Sequence, residues 1–575
     1  MANLLFSLVA GVAQQSMLDF VRKTRQVEAV QETFLRSLLQ TQQHTELGRA
    51  YGLSEIKTID QFRDRVPILP YSSYEPYIER IAKGEKNILT ADPVLYLNLT
   101  SGSTGKQKLI PVTRQSRKAF GRGRQVGIGF VTDAMRQRGL STDKMLLTSS
   151  GRAIGHTSAG IPYGPSSAGD LSLLNLFYHH IFAHPFAALK ISDSLARHYV
   201  CLLFALRETK LNMIGATFPI HALRLCDYLE CYADDLIRDL DQGTIADWLE
   251  IDPALRTKLE RHWSASPIRA AQLRDRLKAE GRLLPKACWD LSVIITARGG
   301  TSNFYFERFP QYFGDVPIFG GIYAASEAIF GVYHDLDSDG TILSIDSGFY
   351  EFIPEDQWDM EHPQTLLPSE VIPDHRYRIL VTNYNGLYRY DIGDVVEVLG
   401  FYERTPLIVF RHRLGGLLSS TTEKTTEFHA TQVMQRLQQT FNLPLENFCI
   451  TLSDDIPAHY LVNIEIESGY TLDRPQEFLQ QFDVCLKEIH TNYANKRHEG
   501  QVPSPRLRVL ETGSFANVGQ RLLERGISEV QMKFPHISED RTLLAGLAVQ
   551  QEVRLAEESN LVISNFNCAS RSPNN

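Results

Sequence analysis

The nine residues Thr100-Ser101-Gly102-Ser103-Thr104-Gly105-Lys106-Gln107-Lys108 decide how the rest of the chain is read. An apolar run, Val94-Leu95-Tyr96-Leu97-Asn98-Leu99, leads in, and Leu109-Ile110-Pro111-Val112 leads out. Both flanks read as strands, so the stretch between them reads as a tight strand-to-strand loop. Glycines and small hydroxyl residues let a backbone approach a ligand closely and aim N–H groups and hydroxyls at anionic oxygens. Ordinary turns share that composition, but here two lysines add positive charge at the loop exit. The Walker pattern is absent. Gly102 and Gly105 are too close together, Gln107 follows the lysine where Ser or Thr would hold magnesium, and the exit is a strand and not a helix. A P-loop NTPase is disfavoured, and a different kind of phosphate cradle is expected.

The 575 residues are enough for several domains, and 43% hydrophobic with 22% charged content is that of a globular chain with a sizeable core. A net charge of −8, with lysines and arginines scattered, gives no reason to expect nucleic acid or an anionic membrane as a partner. The seven cysteines form no C-x-x-C pairs, so neither a disulfide framework nor a zinc site is indicated. Cys226 and Cys231 fall in an apolar helical pattern and read as core thiols. A reducing, cytoplasmic setting fits. Residues 1–11 are apolar but short and lack a basic flank, so they read as an opening helix and not as a membrane anchor.

Outward from the loop, residues 13–46 carry a helical stripe (Leu18, Val21, Val30, Phe34, Leu35, Leu38, Leu39). The proline- and tyrosine-rich stretch 62–77 reads as an ordered connection. Residues 145–148 are β-like, 171–240 mostly helical, and 234–276 solvated helices. β-like runs follow at 291–296, 317–319, 349–353, 379–382 and 395–399. Helices alternating with apolar strands predict α/β sheets, with 340–412 as a barrel-like subdomain. The polar stretch 411–424, with Gly415-Gly416, reads as a hinge. Beyond it an α+β module has strands at 448–452, 460–466 and 507–510 and helices at 476–492 and 517–525.

Three further stretches carry candidate chemistry. Tyr323-Ala324-Ala325-Ser326-Glu327 follows the strand-like Ile318-Phe319 and a Gly-Gly pair; a glutamate at the end of a buried strand suits Mg²⁺, a hard cation that bridges to substrate phosphates. The competing reading is a surface acid near a turn. In Tyr388-Arg389-Tyr390-Asp391-Ile392-Gly393-Asp394, an acid after glycine at a strand start suits ribose hydroxyls, or is simply a turn aspartate. Arg413 and Lys424 flank the hinge, as reaching cations or as solvated ones.

Taken together, the loop, Tyr-Ala-Ala-Ser-Glu and Tyr-Arg-Tyr-Asp-Ile-Gly-Asp resemble, in order and spacing, the nucleotide-binding motifs of the GH3 acyl-acid amido synthetases. Tyr77-Ile78-Glu79-Arg80, Lys424-Thr425-Thr426-Glu427 and Gln531-Met532-Lys533-Phe534-Pro535 are similar too, and the likeness runs over residues 30–545. The family belongs to the adenylating enzymes and is best known from plant members that join auxin or jasmonate to amino acids. The resemblance implies a large N-terminal adenylating domain, 1–415, of β-sheets, helices and the barrel-like part, and a small mobile α+β domain, 416–575. It implies a ligase that adenylates a small carboxylic acid with ATP and Mg²⁺, then transfers the acyl group to an amino acid or other amine, releasing AMP and pyrophosphate.

The resemblance also assigns residues. Ser101, Gly102, Ser103, Thr104 and Gly105 cradle phosphates, with Lys106 and Lys108 offsetting charge. Glu327 holds Mg²⁺, Tyr323 and Ser326 lie near adenine and the α-phosphate, and Asp394 binds ribose. Arg413 and Lys424 reach across the hinge, and the small domain carries Lys533 in during adenylation. Ala324, Phe218 and His156 fall to the acyl site. No enzyme nucleophile is needed. Two departures stand out: Ala325 replaces the usual plant serine, and the acyl-pocket stretches (155–169, 171–210, 218–221) depart from the plant pattern. They suggest a different acid and a bacterial source. A thiol acceptor such as coenzyme A is disfavoured because the motifs match the amide-forming branch. A non-catalytic sensor would be expected to have lost Glu327, Asp394 or Lys424, and all three are present.

Overall fold

The computed structural model describes residues 2–100, 108–149, 151, 154–166, 178–414, 417–524 and 532–555. They form two compact units, Met1–Arg411 and His412–Asn575.

In the first unit, the helical stripe becomes the helices Ala2–Lys23 and Val27–Gln42, the second burying Phe34, Leu35, Leu38 and Leu39. The strands on either side of the opening loop are Val94–Thr100 and Lys108–Thr113. They pair antiparallel, with Leu99 opposite Leu109 and Thr100 opposite Lys108. The short strands Pro162–Gly164 and Gly155–His156 complete that sheet. A second sheet sets Lys144–Leu147, Leu211–Gly215, Val293–Ile295 and Ile318–Phe319 side by side in parallel. Parallel strands need covering on both faces, and the helix Ser194–Arg207 is buried along nearly its whole length.

The third sheet positions the site. Its seven strands run in the order Phe349–Pro354, Arg376–Thr382, Tyr390–Tyr402, Thr405–Arg413, Thr341–Leu343, Ile329–Tyr333, Ile322–Ala324. This is the β-dense segment expected to be barrel-like. It starts earlier than expected, at Ile322, so Tyr323 and Asp394 belong to one sheet.

One reading needs correction. The stretch 62–77 is not a connection: it carries the helices Ile59–Arg65 and Tyr71–Ala82. Its prolines suggested a break, but Pro67 and Pro70 precede the second helix, where a missing N–H costs nothing, and the helix runs on through Pro76 at its sixth residue. Tyr71, Tyr74, Ile78 and Ile81 then bury one helical face. The stretch 171–240, of which 171–177 lie outside the described residues, is mostly helical as expected, with the buried strand Leu211–Gly215 set into it; so short an apolar run cannot be told from a buried helix turn by periodicity.

The second unit is a four-stranded sheet, Leu445–Leu452, Tyr460–Ile466, Arg506–Leu510 and Val549–Arg554, with the helices Glu427–Phe441, Pro475–Ile489, Thr491–His498 and Ser514–Glu524. The edge strand Val549–Arg554 is mostly exposed and polar and gave no apolar signal. Cys231, expected in the core, is exposed, whereas Cys201, Cys226, Cys288 and Cys449 are buried. Burial pushes the Cys201 and Cys288 thiols up to about 12, which keeps them protonated and poor nucleophiles. Among the described residues, no helix is long and apolar enough to cross a membrane.

Candidate active site

Glu327 lies in the turn between the strands Ile322–Ala324 and Ile329–Tyr333, beyond the strand end where it was expected. The turn closes through Ala325 N–H to the Ala328 carbonyl at 2.9 Å. Glu327 is only 5% exposed, which removes the surface-acid reading. Asn383 and Asn385 each donate Nδ2–H to its carbonyl at 2.9 Å. The Tyr390 hydroxyl donates to its Oε1 at 3.2 Å. Asn98, on the strand entering the opening loop, donates to the Ser326 carbonyl at 3.3 Å.

The two asparagines come from the turn Asn383-Tyr384-Asn385-Gly386, closed by Gly386 N–H to the Asn383 carbonyl at 3.2 Å. Gly386 has φ +82°, and a Cβ there would meet the Leu89 carbonyl oxygen at 2.4 Å. Only glycine fits. Arg389, φ +43°, follows. Its Nε and Nη2 donate to both oxygens of buried Glu351 at 3.0 Å, and Nη1 donates to the carbonyls of Arg63 and Val66. That fork holds the strained backbone leading into Tyr390.

Asp394 lies inside the strand Tyr390–Tyr402 and not at its start. The register explains how it is aimed: Arg378 pairs with Val395 and Leu380 with Asp391. One partner residue thus faces Ile392, Gly393 and Asp394, a bulge of the kind that re-aims side chains, with Gly393 at φ +78°. Asp394 is 1% exposed and accepts the Tyr323 hydroxyl at 2.8 Å. The Tyr323 ring stacks on Phe330 and tilts against Phe410. Burial pushes the neighbouring Asp391 carboxyl above its ordinary value, against the opposing pull of Arg378.

In the second unit, Lys424 is exposed, has φ +57°, and donates its N–H to the Ser419 hydroxyl at 2.8 Å. Buried Glu423 beside it accepts the Tyr460 hydroxyl at 2.6 Å and the Thr421 N–H at 3.0 Å. Arg413 ends the strand Thr405–Arg413. Lys533 is exposed next to His536, whose buried ring stacks on Phe448. Ser101, Gly102, Ser103, Thr104, Gly105 and Lys106 lie outside the described residues. At the loop's exit, Lys108 Nζ sits over the Tyr71 ring, 5.1 Å from its centroid.

A small hollow opens beside the Glu327 turn, lined among others by Tyr96, Asn98, Val112, Arg117, Phe120 and Asn385. The residues expected at the acyl site do not line it. His156 is exposed on a two-residue strand, Phe218 caps the helix Pro219–Cys231 against His221, and Ala324 is exposed at its strand end. Asn383, Asn385, Tyr390 and Arg117 were not singled out in the sequence. Asn-Tyr-Asn-Gly between apolar runs signals a turn, but nothing local shows that its amides are buried.

Among the described residues, no group of three or more His, Cys, Asp or Glu could hold a metal ion. Glu327 supplies one hard oxygen donor, which fits Mg²⁺ arriving with substrate phosphates and not an all-protein metal cage.

Family models match nearly the whole chain: the GH3 family N-terminal domain over residues 17–318, the central domain over 341–413 and the C-terminal domain over 428–542. The chain belongs to the GH3 family. Among GH3 relatives, it is 26% identical to the indole-3-acetic acid-amido synthetase GH3.17 of Arabidopsis thaliana, covering 89% of this chain and 91% of that protein. It is 25% identical to the jasmonoyl-L-amino acid synthetase JAR4 of Nicotiana attenuata, covering 90% and 92%. The GH3 fold is seen in the solved AtGH3.15 acyl acid amido synthetase in complex with 2,4-DB, with a TM-score of 0.84 at 22% identity, over 94% of this chain and 97% of that one. These comparisons lend no support to a bacterial source.

Proposed function

We infer that this chain is an ATP-dependent ligase that adenylates a small carboxylic acid and transfers the acyl group to the amine of an amino acid. The observation that carries this reading is the pair of buried acids on one GH3 scaffold, Glu327 held by Tyr390 and Asp394 held by Tyr323. Relatives named for amide synthesis on indole-3-acetic acid and jasmonate support the reaction class. They do not decide the acid.

In the first half-reaction, a carboxylate oxygen of the acid bonds to the α-phosphorus of ATP and the bond to pyrophosphate breaks. In the second, the amine nitrogen bonds to the acyl carbon and the bond to AMP breaks. The residues divide the work. Asp394, oriented by Tyr323, accepts the ribose hydroxyls. Ser101 to Lys106 grip the triphosphate. Glu327 is the residue that would hold Mg²⁺, which when bound neutralises charge on the departing pyrophosphate. Arg413, Lys424 and Lys533 bring cationic charge from the small domain, which moves about residues 411–424. Both nucleophiles come with the substrates, so the protonated buried cysteines need no part.

The test is acid-dependent exchange of labelled pyrophosphate into ATP over a panel of carboxylic acids, followed by AMP release with single amino acids. Exchange with at least one acid, and AMP release that requires an amine, are expected. AMP formation that needs coenzyme A and ignores every amine would overturn the reading.

A further inference from the structure

Asp391 is an odd residue for its place. It stands inside the strand Tyr390–Tyr402, opposite Leu380, and its side chain is only 20% exposed. Aspartate is depleted in strands, and burying a carboxylate costs free energy unless it is paired and hydrogen-bonded. Its Oδ1 accepts the Gly393 N–H at 2.9 Å. Its Oδ2 lies 3.3 Å from Arg378 Nε, on the neighbouring strand. Arg378 is itself held, donating Nη1–H to the Trp358 carbonyl at 3.1 Å. The Asp391 N–H is tied to the Leu69 carbonyl at 3.0 Å.

The bond to Gly393 falls where the ladder skips. Arg378 pairs with Val395 and Leu380 with Asp391, so the bulge lies between those two pairs, with Gly393 at its middle and φ +78°. A carboxylate that takes the N–H two residues on closes a local turn, and such a bond competes with regular pairing. Arg378 anchors that turn to the sheet. The next residue is Asp394, whose carboxylate takes the Tyr323 hydroxyl. An apolar residue at position 391 would suit the strand opposite Leu380 better, but it could not accept the Gly393 N–H.

We propose that Asp391 is a positioning residue for the nucleotide: by holding the Gly393 N–H it keeps the bulge that aims the Asp394 carboxylate at the ribose hydroxyls. The proposal rests on the ligase reading above. In this role Asp391 makes no contact with the nucleotide and acts through Asp394. It takes no proton and forms no bond to substrate.

The experiment measures acid-dependent pyrophosphate exchange with ATP and with 2′-deoxy-ATP, using an acid identified in the panel, for wild type, Asp391→Asn and Asp391→Ala. Wild type should prefer ATP in kcat/KM by at least about tenfold, because 2′-deoxy-ATP lacks a hydroxyl for Asp394. Asp391→Asn keeps an acceptor for the Gly393 N–H and should keep that preference. Asp391→Ala loses the acceptor, and its preference should fall to about twofold or less, as for two coupled parts of one contact. A loss of folded protein would lower both rates alike and leave the preference unmoved. A wild-type preference in Asp391→Ala would overturn the proposal, and so would an equal fall in Asp391→Asn. Wild type that uses the two nucleotides equally would overturn it as well. Should Asp391→Ala fail to fold, Asp391→Val with Arg378→Met removes both partners of the pair together, which buried sites often tolerate. That double variant should show the same fall, and a wild-type preference in it would overturn the proposal. Wild-type protein without any acid-dependent exchange would instead remove the ligase reading.

Discussion

Tyr323 donates its hydroxyl to the Asp394 carboxylate at 2.8 Å, joining two motifs 71 residues apart. Tyr323→Phe should keep the ring stack on Phe330 and lose the bond to Asp394. A lost hydrogen bond to a charged group costs about 1.5–3 kcal/mol, part of which the ribose can restore, so the KM for ATP should rise about tenfold. An unchanged KM for ATP would separate this pair from the nucleotide site.

Tyr390 touches the Glu327 carboxylate, the one hard donor assigned to Mg²⁺. Residues that orient a metal ligand typically affect metal affinity by about 10–100-fold. Tyr390→Phe should therefore raise the Mg²⁺ concentration needed for half-maximal pyrophosphate exchange by about tenfold. Glu327→Ala, or chelation of the metal, should abolish exchange while the variant still unfolds cooperatively. Exchange at the wild-type rate in Glu327→Ala would remove that residue from the metal site.

The Arg389–Glu351 pair is buried, with side chains 7% and 1% exposed. Removing one partner of such a pair costs about 3–5 kcal/mol, whereas replacing both with apolar groups is often neutral. Arg389→Met should lower the unfolding midpoint by several degrees, and Arg389→Met with Glu351→Met should recover only part of it, because Arg63 then loses its pairing with Glu351 at 3.4 Å. The check is differential scanning calorimetry of the two variants.

Glu423 bears on pH stability. Burial alone would raise its carboxyl, but hydrogen bonds from Tyr460 and the Ser420 and Thr421 N–H groups outweigh it and hold the group below its ordinary value of 4.5. A carboxylate lowered on folding stabilises fully above its unfolded pKa and loses that contribution as pH falls through the folded value. The stability gap between wild type and Glu423→Gln should therefore be widest near neutrality and close below pH 4.5. Urea unfolding at several pH values measures it. A gap independent of pH would refute the assignment.

The runs that carry Glu327 and Asp394 stand out in the sequence because each has its own local pattern, though the burial of the two acids does not. Nor do their partners. Tyr390 meets Glu327 only because a seven-stranded sheet brings 63 residues of separation to hydrogen-bond distance. Asn385 looked like a turn residue, which it is, and its burial depends on Leu89 closing over Gly386 from another part of the chain. The helix Tyr71–Ala82 was obscured by its prolines, two of which precede it while Pro76 is carried inside it by the burial of Tyr71, Tyr74, Ile78 and Ile81.

The bulge at Ile392-Gly393-Asp394 sets function against robustness. A regular ladder would satisfy the sheet better, and a β-branched residue at position 393 would favour one, since Gly393 occupies a backbone region such residues avoid. Straightening the strand would also swing Asp394 away from Tyr323. Screens that reward only heat resistance should therefore enrich variants of this segment that fold well and have lost their grip on the nucleotide.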